Sequence, residues 1–259
     1  IAKDAYTRVV REDPTRKGLL YAGTETGLYI SFDDGKNWKP FQLNLPIVPV
    51  TDLLVKEKDL VVATQGRAFW VLDDLTPLYQ LSKKVSGAKE HLFDPRDTYR
   101  LPGGGGWGGP SPNSGANPPN GVMTFFTLSE ELGEDGEFTL EYLESDGDVI
   151  KTFTNKKDKK SSEPTAETKK GMNRFVWNMR YPDAKKVPGA VMWGGTHIGP
   201  KAVPGEYQVR MTVNGKSQTQ SFKILKDPRI STTQADFQAQ FDLLMEIRDR
   251  TSEINQKVI

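Results

Sequence analysis

The chain has 259 residues, with 35 Lys and Arg against 34 Asp and Glu, a net charge of +1, 36% hydrophobic and 27% charged residues, and no cysteine. That balance leaves no electrostatic footprint for nucleic acid. The missing cysteines remove disulfides, thiolate metal sites and cysteine nucleophiles together, two histidines (His91 and His197) argue against a histidine-rich zinc site, and no apolar run approaches the roughly 18 residues of a membrane span.

Residues 1–80 read as short strands separated by Gly, Asp and Asn. Apolar runs stand at Leu19–Ala22, Leu28–Ile30, Val61–Ala63 and Phe69–Leu72, with the spacing of an all-β sandwich, barrel or propeller. Leu20–Ile30 parallels Val61–Val71, each reading strand, glycine turn, strand. The offset of about 40 residues is the period of propeller blades. Two blades close no ring, since propellers need about four to eight, so further blades are expected upstream of Ile1 or in another chain.

Residues 81–120 carry Pro102, Gly103–Gly106, Trp107, Gly108 and Gly109, followed by Pro110, Pro112, Pro118 and Pro119. This composition predicts an irregular linker. The literal G-x-G-x-x-G at Gly103, Gly105 and Gly108 has prolines on both sides and no helix after it, which is the wrong context for a dinucleotide loop.

Residues 121–226 return to a period of two. Phe138, Leu140 and Tyr142 alternate with polar neighbours, as do Phe175, Trp177 and Met179, and Tyr207, Val209, Met211 and Val213. The last run leads into Asn214-Gly215, a strong hairpin signal because both positions need positive φ. About seven strands over about 105 residues predict an immunoglobulin-like or fibronectin-like β-sandwich. Asn155–Lys170, rich in Lys, Ser and Thr, reads as a mobile loop. From 227 to 259 the period becomes helical: Phe237, Leu244, Ile247, Ile254 and Val258 recur at three-and-four spacing after a capping threonine, Thr232 or Thr233.

One motif stands out, Ser31-Phe32-Asp33-Asp34-Gly35-Lys36-Asn37-Trp38. It matches the Asp-box pattern S-x-D-x-G-x-x-W. Its spacing suits a tight hairpin in which Asp33 accepts from turn amides and Gly35 supplies positive φ; Ser31, Asp33, Gly35 and Trp38 are therefore read as structural. Leu20–Trp38 resembles the last Asp-box blade of the sialidase, xyloglucanase and sortilin type. Asp59–Asp74, Gly171–Pro182, Trp193–Gly195, Pro204–Arg210 and Gln234–Leu244 resemble large bacterial proteins labelled glycosyl hydrolases with BNR repeats. Such proteins often carry His-Gly-Arg where this chain has Gln65-Gly66-Arg67. The resemblance implies an exported protein (periplasmic, cell-surface or secreted) with propeller blades, an Ig-like domain and a polysaccharide or protein ligand.

The function expected is a non-catalytic C-terminal portion of such a protein, with a binding or scaffolding role. Gln65, Arg67 and Trp70, near a strand turn, are the ligand-binding candidates, against a packing role for Trp70 and an ion pair of Arg67 with Asp73 or Asp74. One alternative is part of a glycoside hydrolase with its carboxylates mostly upstream, for which Asp73 and Asp74 are the local candidates alongside Asp33 and Asp34, and Trp107 and Trp193 would stack on sugars. The other is a sortilin-like protein-binding receptor. No cofactor is implied; Ca²⁺ at clustered Asp residues would need oxygens gathered in space.

Overall fold

The structure, a computed structural model, describes residues 1, 5–102, 115–133, 135–157, 163–190 and 194–259. Trp107, Trp193, the glycines from 103 to 109 and the 158–162 part of the lysine-rich loop lie outside the described residues. The fold is mainly β, 38% strand and 14% helix, with a curled half-barrel sheet and a C-terminal helix. It divides into two compact units, Ile1–Leu81 and Ser82–Ile259.

Unit 1 holds two antiparallel sheets. β1 (Thr7–Glu12), β2 (Leu20–Thr24), β3 (Gly27–Ser31) and β4 (Lys39–Pro40) form a four-stranded meander. β5 (Val50–Lys56), β6 (Asp59–Thr64) and β7 (Phe69–Leu72) form the second sheet. The two similar sequence segments thus become the hairpins β2–β3 and β6–β7. The sheets meet closely at Gly23, where an added Cβ would lie 2.5 Å from Val50 and 2.8 Å from Val9. Leu19, Tyr21, Ile30, Val50, Leu53 and Leu60 fill the core between them. Beside that core sits a satisfied buried carboxylate: Asp13, 3% exposed, accepts from Tyr21 Oη at 3.0 Å, Thr15 N at 2.8 Å and Arg16 N at 3.0 Å. Arg16 in turn donates to Leu78 O in α1 (Thr76–Gln80), tying that helix to the β1–β2 loop.

Unit 2 opens with α2 (Lys83–Ser86), capped by Ser82, whose Oγ accepts from Val85 N. Two sheets follow. One has the order β13-β10-β8, from β8 (Glu90–Leu92), β10 (Val122–Leu128) and β13 (Gly171–Trp177). The other has the order β12-β11-β14-β15-β9, from β9 (Thr98–Arg100), β11 (Phe138–Glu144), β12 (Val149–Thr154), β14 (Gly205–Val213) and β15 (Lys216–Lys226). All pairs are antiparallel except β15–β9. β8 and β9 lie inside the stretch read from sequence as a linker. Each is only three residues long, too short for a period of two to register. What orders β8 is partly non-local: Gln218 and Gln220 side chains on β15 bond Glu90 and Leu92 backbone at 3.0–3.1 Å.

The core of unit 2 is aromatic. Trp177 and Tyr142, both 0% exposed, stack at 4.5 Å across the two sheets, ringed by Phe153, Phe175, Tyr207 and Phe222. The Tyr142 hydroxyl bonds Thr124 Oγ1 at 2.8 Å, joining β11 to β10, and burial raises its phenol pKa. Asn214 and Gly215 take φ of 46° and 78° in the β14–β15 turn, the geometry that selects Asn-Gly there.

α3 (Gln234–Val258) starts with a capping box: Thr233 Oγ1 accepts from Asp236 N while Asp236 accepts from Thr233 N. Its apolar stripe is used unevenly. Phe237 is 4% exposed and Phe241 and Met245 pack on the core of unit 2, whereas Ile247 and Ile254 are 52% and 63% exposed. Only the first half of the stripe is buried.

Trp177 is the largest fully buried side chain, so Trp177→Ala is expected to cost about 3–5 kcal/mol. Urea unfolding followed by near-UV circular dichroism checks this.

Candidate functional site

The Asp-box forms the β3–β4 turn. Asp33 Oδ1 accepts from Ser31 Oγ at 2.9 Å and Asn37 N at 2.8 Å, and its Oδ2 from Asn37 Nδ2 at 2.6 Å. These bonds, the Asn37 side chain first, hold its carboxyl below the usual range. Asp34 and Gly35 both have positive φ, 60° and 79°, and Trp38 lies against Gly35. Asp33 is thereby a turn acceptor.

At the β6–β7 turn, Gln65 and Arg67 are exposed. Gln65 N donates to Pro49 O at 2.9 Å, and the half-buried Trp70 donates its indole N–H to Arg67 O at 3.0 Å. The turn brings Arg67 and Trp70 together through this backbone bond, while the neighbouring Phe69 side chain is 77% exposed. Asp74 is buried and takes φ of 64°. Its Oδ1 accepts from Thr76 N at 3.0 Å and Thr76 Oγ1 at 2.5 Å, fixing the entry to α1. Asp59 Oδ1 accepts from Asp74 N at 2.9 Å. Asp74 is a buried helix-entry residue.

A concave site not anticipated from sequence lies in unit 2, beside α3. The cleft has a volume of about 730 Å³. Segments 178–184 and 196–202 run antiparallel beside it, through Tyr181 N to Pro200 O, Ala202 N to Met179 O and Ala184 N to His197 O. Their approach requires Gly199: a Cβ there would lie 2.0 Å from Tyr181 O. Asp183 Oδ1 accepts from Gly199 N at 2.9 Å. The core Trp177 donates its indole N–H to Arg180 O at 3.2 Å, and Met179, fully buried, adopts φ of 60°. These features turn the chain sharply, so that Met179 enters the core and Arg180 lines the cleft.

Three cations converge in it from three segments. Arg100, at the end of β9, donates Nε to Ala202 O at 2.9 Å and stands 4.8 Å over the Phe237 ring of α3. Arg180 donates Nη1 to Gly199 O at 2.8 Å, and Lys201 donates Nζ to Leu101 O at 2.7 Å. Burial, then Arg180, lowers the Arg100 pKa; burial, then Arg100 and Arg180, lowers that of Lys201. No Asp or Glu lines the cleft among the described residues. Asn120, Asn178, Thr196 and Thr251 add neutral donors and acceptors, and Leu244 and Ile247 of α3 form an apolar wall. Arg248, also on the wall, is paired with Asp249 at 2.6 Å.

Single-sequence reading missed this cleft because its cations lie about eighty and twenty residues apart, in segments without a motif. Among the described residues, no group of three His, Asp or Glu comes together to hold a metal ion, and no helix is long and apolar enough to cross a membrane.

No protein-family model and no curated protein matches the sequence. Among solved structures, the extracellular domain of a hybrid two-component system from B. thetaiotaomicron matches at 13% identity with a TM-score of 0.22, over 88% of this chain and 26% of that one. The chain thus spans about a quarter of that neighbour's length.

Asp74→Ala removes a buried acceptor from Thr76 and is expected to cost about 1–3 kcal/mol of stability, read by chemical denaturation. Acidification gives a second expectation. Burial holds the His91 pKa below its usual value, so its contribution to stability is complete above about pH 6.5 and is lost as pH falls through the folded-state value. His91→Gln should flatten that part of the stability–pH curve.

Proposed function

We propose that this chain is the non-catalytic, ligand-binding C-terminal portion of an exported Asp-box propeller protein. In this reading unit 1 supplies terminal blades and unit 2 an immunoglobulin-like module that carries the binding site. The blade assignment draws support from the four-stranded antiparallel meander β1–β4 with an Asp-box in its last turn. The module assignment draws support from the central order β12-β11-β14-β15, which corresponds to the C′-C-F-G order of variable-type Ig sheets. Tyr207, on β14, donates to Val203 O at 2.9 Å, the bond of a tyrosine corner. One feature departs from antibody domains: the core tryptophan is on β13, the strand equivalent to E.

The observation that carries the binding reading is the cleft itself. Polar side chains converge there on a partly apolar concavity, the usual composition of a ligand pocket. Of the carboxylates offered by the sequence in unit 1, Asp33 accepts from Asn37 N in the β3–β4 turn and Asp74 accepts from Thr76 N at the start of α1. A glycan fits this surface better than a protein, because the site is concave and the ligand's hydroxyls would meet amide and hydroxyl side chains. Export follows the resemblance and is tested separately by fractionating the cells that make the full protein.

A glycan array probed with the 259-residue chain is expected to give saturable binding to a subset of saccharides, with no reducing sugar released on prolonged incubation. Release of reducing sugar that disappears in Asp73→Asn or Asp74→Asn would replace this reading with a glycoside hydrolase.

A further inference from the structure

We propose that the Arg100–Arg180–Lys201 end of the cleft holds the oxyanion of an acidic saccharide, a uronate carboxylate or a sulfate ester, with the sugar body lying along Leu244 and Ile247. This rests on the binding reading above and adds the charge class of the ligand.

The chain has almost as many acidic as basic residues, yet the described residues lining the cleft include Arg100, Arg180, Lys201 and Arg248 and no carboxylate. The nearby carboxylates already have partners, and one of them, Asp249, neutralises the lining cation Arg248. Asp183 accepts from Gly199 N, and Glu144 accepts from Tyr181 Oη at 2.7 Å. Like charges held together and partly desolvated oppose folding. An anion entering the cleft would relieve that repulsion, so part of its binding energy is stored in the free protein.

Each cationic head is anchored by a backbone carbonyl, of Ala202, Gly199 or Leu101, and Arg100 is further held over Phe237. Little side-chain freedom remains to be lost on binding, which favours affinity. Guanidinium groups also present N–H donors in a fork that matches the oxygens of carboxylate and sulfate.

Besides its cations, the cleft is lined by amides and hydroxyls at Asn120, Asn178, Thr196 and Thr251 and by Leu244 and Ile247. Hydroxyl-bearing carbon rings combine hydrogen-bonding edges with apolar C–H faces and suit that mixture. A simple inorganic anion would leave it unused.

The test is calorimetric titration of the whole chain at fixed ionic strength with trigalacturonate, a sulfated chondroitin-type disaccharide, glucose 6-phosphate and neutral cellotriose. One or both acidic saccharides should bind saturably and cellotriose should not, with affinity falling as NaCl is raised. Lys201→Gln should weaken the acidic saccharide by about tenfold or more, the usual scale for a lost charge-assisted bond. Arg180→Lys keeps the charge and loses the fork, so it should weaken binding by less. Thermal unfolding of both variants confirms that they remain folded. Equal binding by wild type and a folded Lys201→Gln would overturn the location. Tighter binding of glucose 6-phosphate than of either acidic sugar would overturn the saccharide assignment. Cellotriose binding without acidic-saccharide binding would overturn the charge class and leave the binding reading standing. Failure of all four probes overturns the acidic-saccharide site, and an array without any bound glycan then removes the glycan-binding reading as well.

Discussion

The stack of Trp177 on Tyr142 is the contact on which unit 2 depends. It joins the three-stranded sheet to the five-stranded one at the centre of an aromatic core, with ring centroids 4.5 Å apart. Stacked pairs add about 0.5–1.5 kcal/mol beyond the area they bury, but their positional effect matters more here. Both rings retain a polar atom that has to be satisfied. The Tyr142 hydroxyl finds Thr124 on the opposite sheet, and the Trp177 indole finds Arg180 O just beyond the end of β13. The second bond fixes the backbone where the chain leaves β13. From there the positive φ of Met179 and the missing side chain of Gly199 let segments 178–184 and 196–202 run side by side. The cleft is thus built outward from the core.

The same construction explains why the cations tolerate one another. Arg100, Arg180 and Lys201 are not held by carboxylates. They are held by carbonyls of the two segments and of Leu101, and by the face of Phe237. Carbonyl oxygens and an aromatic face provide negative potential without neutralising the charge. A carboxylate would have stabilised the fold more and occupied the donors. The arrangement gives up some stability and keeps a positive field in the cleft.

Much of the β architecture was legible from the chain because it rests on local signals. The two parallel-looking segments, Leu20–Ile30 and Val61–Val71, became the hairpins β2–β3 and β6–β7. Asn214-Gly215 turned β14 into β15, and a capping threonine preceded the C-terminal helix. β8 and β9 escaped notice because three residues show no period and because their pairing partners, β10 and β15, are distant in sequence. The cleft escaped for a related reason. Lys201 sits in a Pro-Lys-Ala stretch, and Arg100 ends a strand that went unrecognised; neither has a spacing that chemistry would require. Conversely, Gln65 and Arg67, picked out for lying at a turn, occupy an exposed turn at the end of a hairpin, while Asp74 is a buried residue of helix entry.

The C-terminal helix links these points. Its capping box and Phe237 anchor the N-terminal half, and Tyr181 packs edge-on against Phe241 at 4.8 Å. Further along, Leu244 and Ile247 lie outside the core of unit 2 and line the cleft. Ser252 and Asn255 then bond the backbone of Lys185, at 3.1 Å and 2.6 Å. The helix is therefore pinned on both sides of the residues that wall the cleft. An amphipathic stripe need not be buried along its whole length to be stable, provided that each end of the contact is fixed. Here Leu244 and Ile247, exposed and lining the cleft, are held in place by contacts they do not themselves make. They form a surface of the helix that takes no part in the core of unit 2.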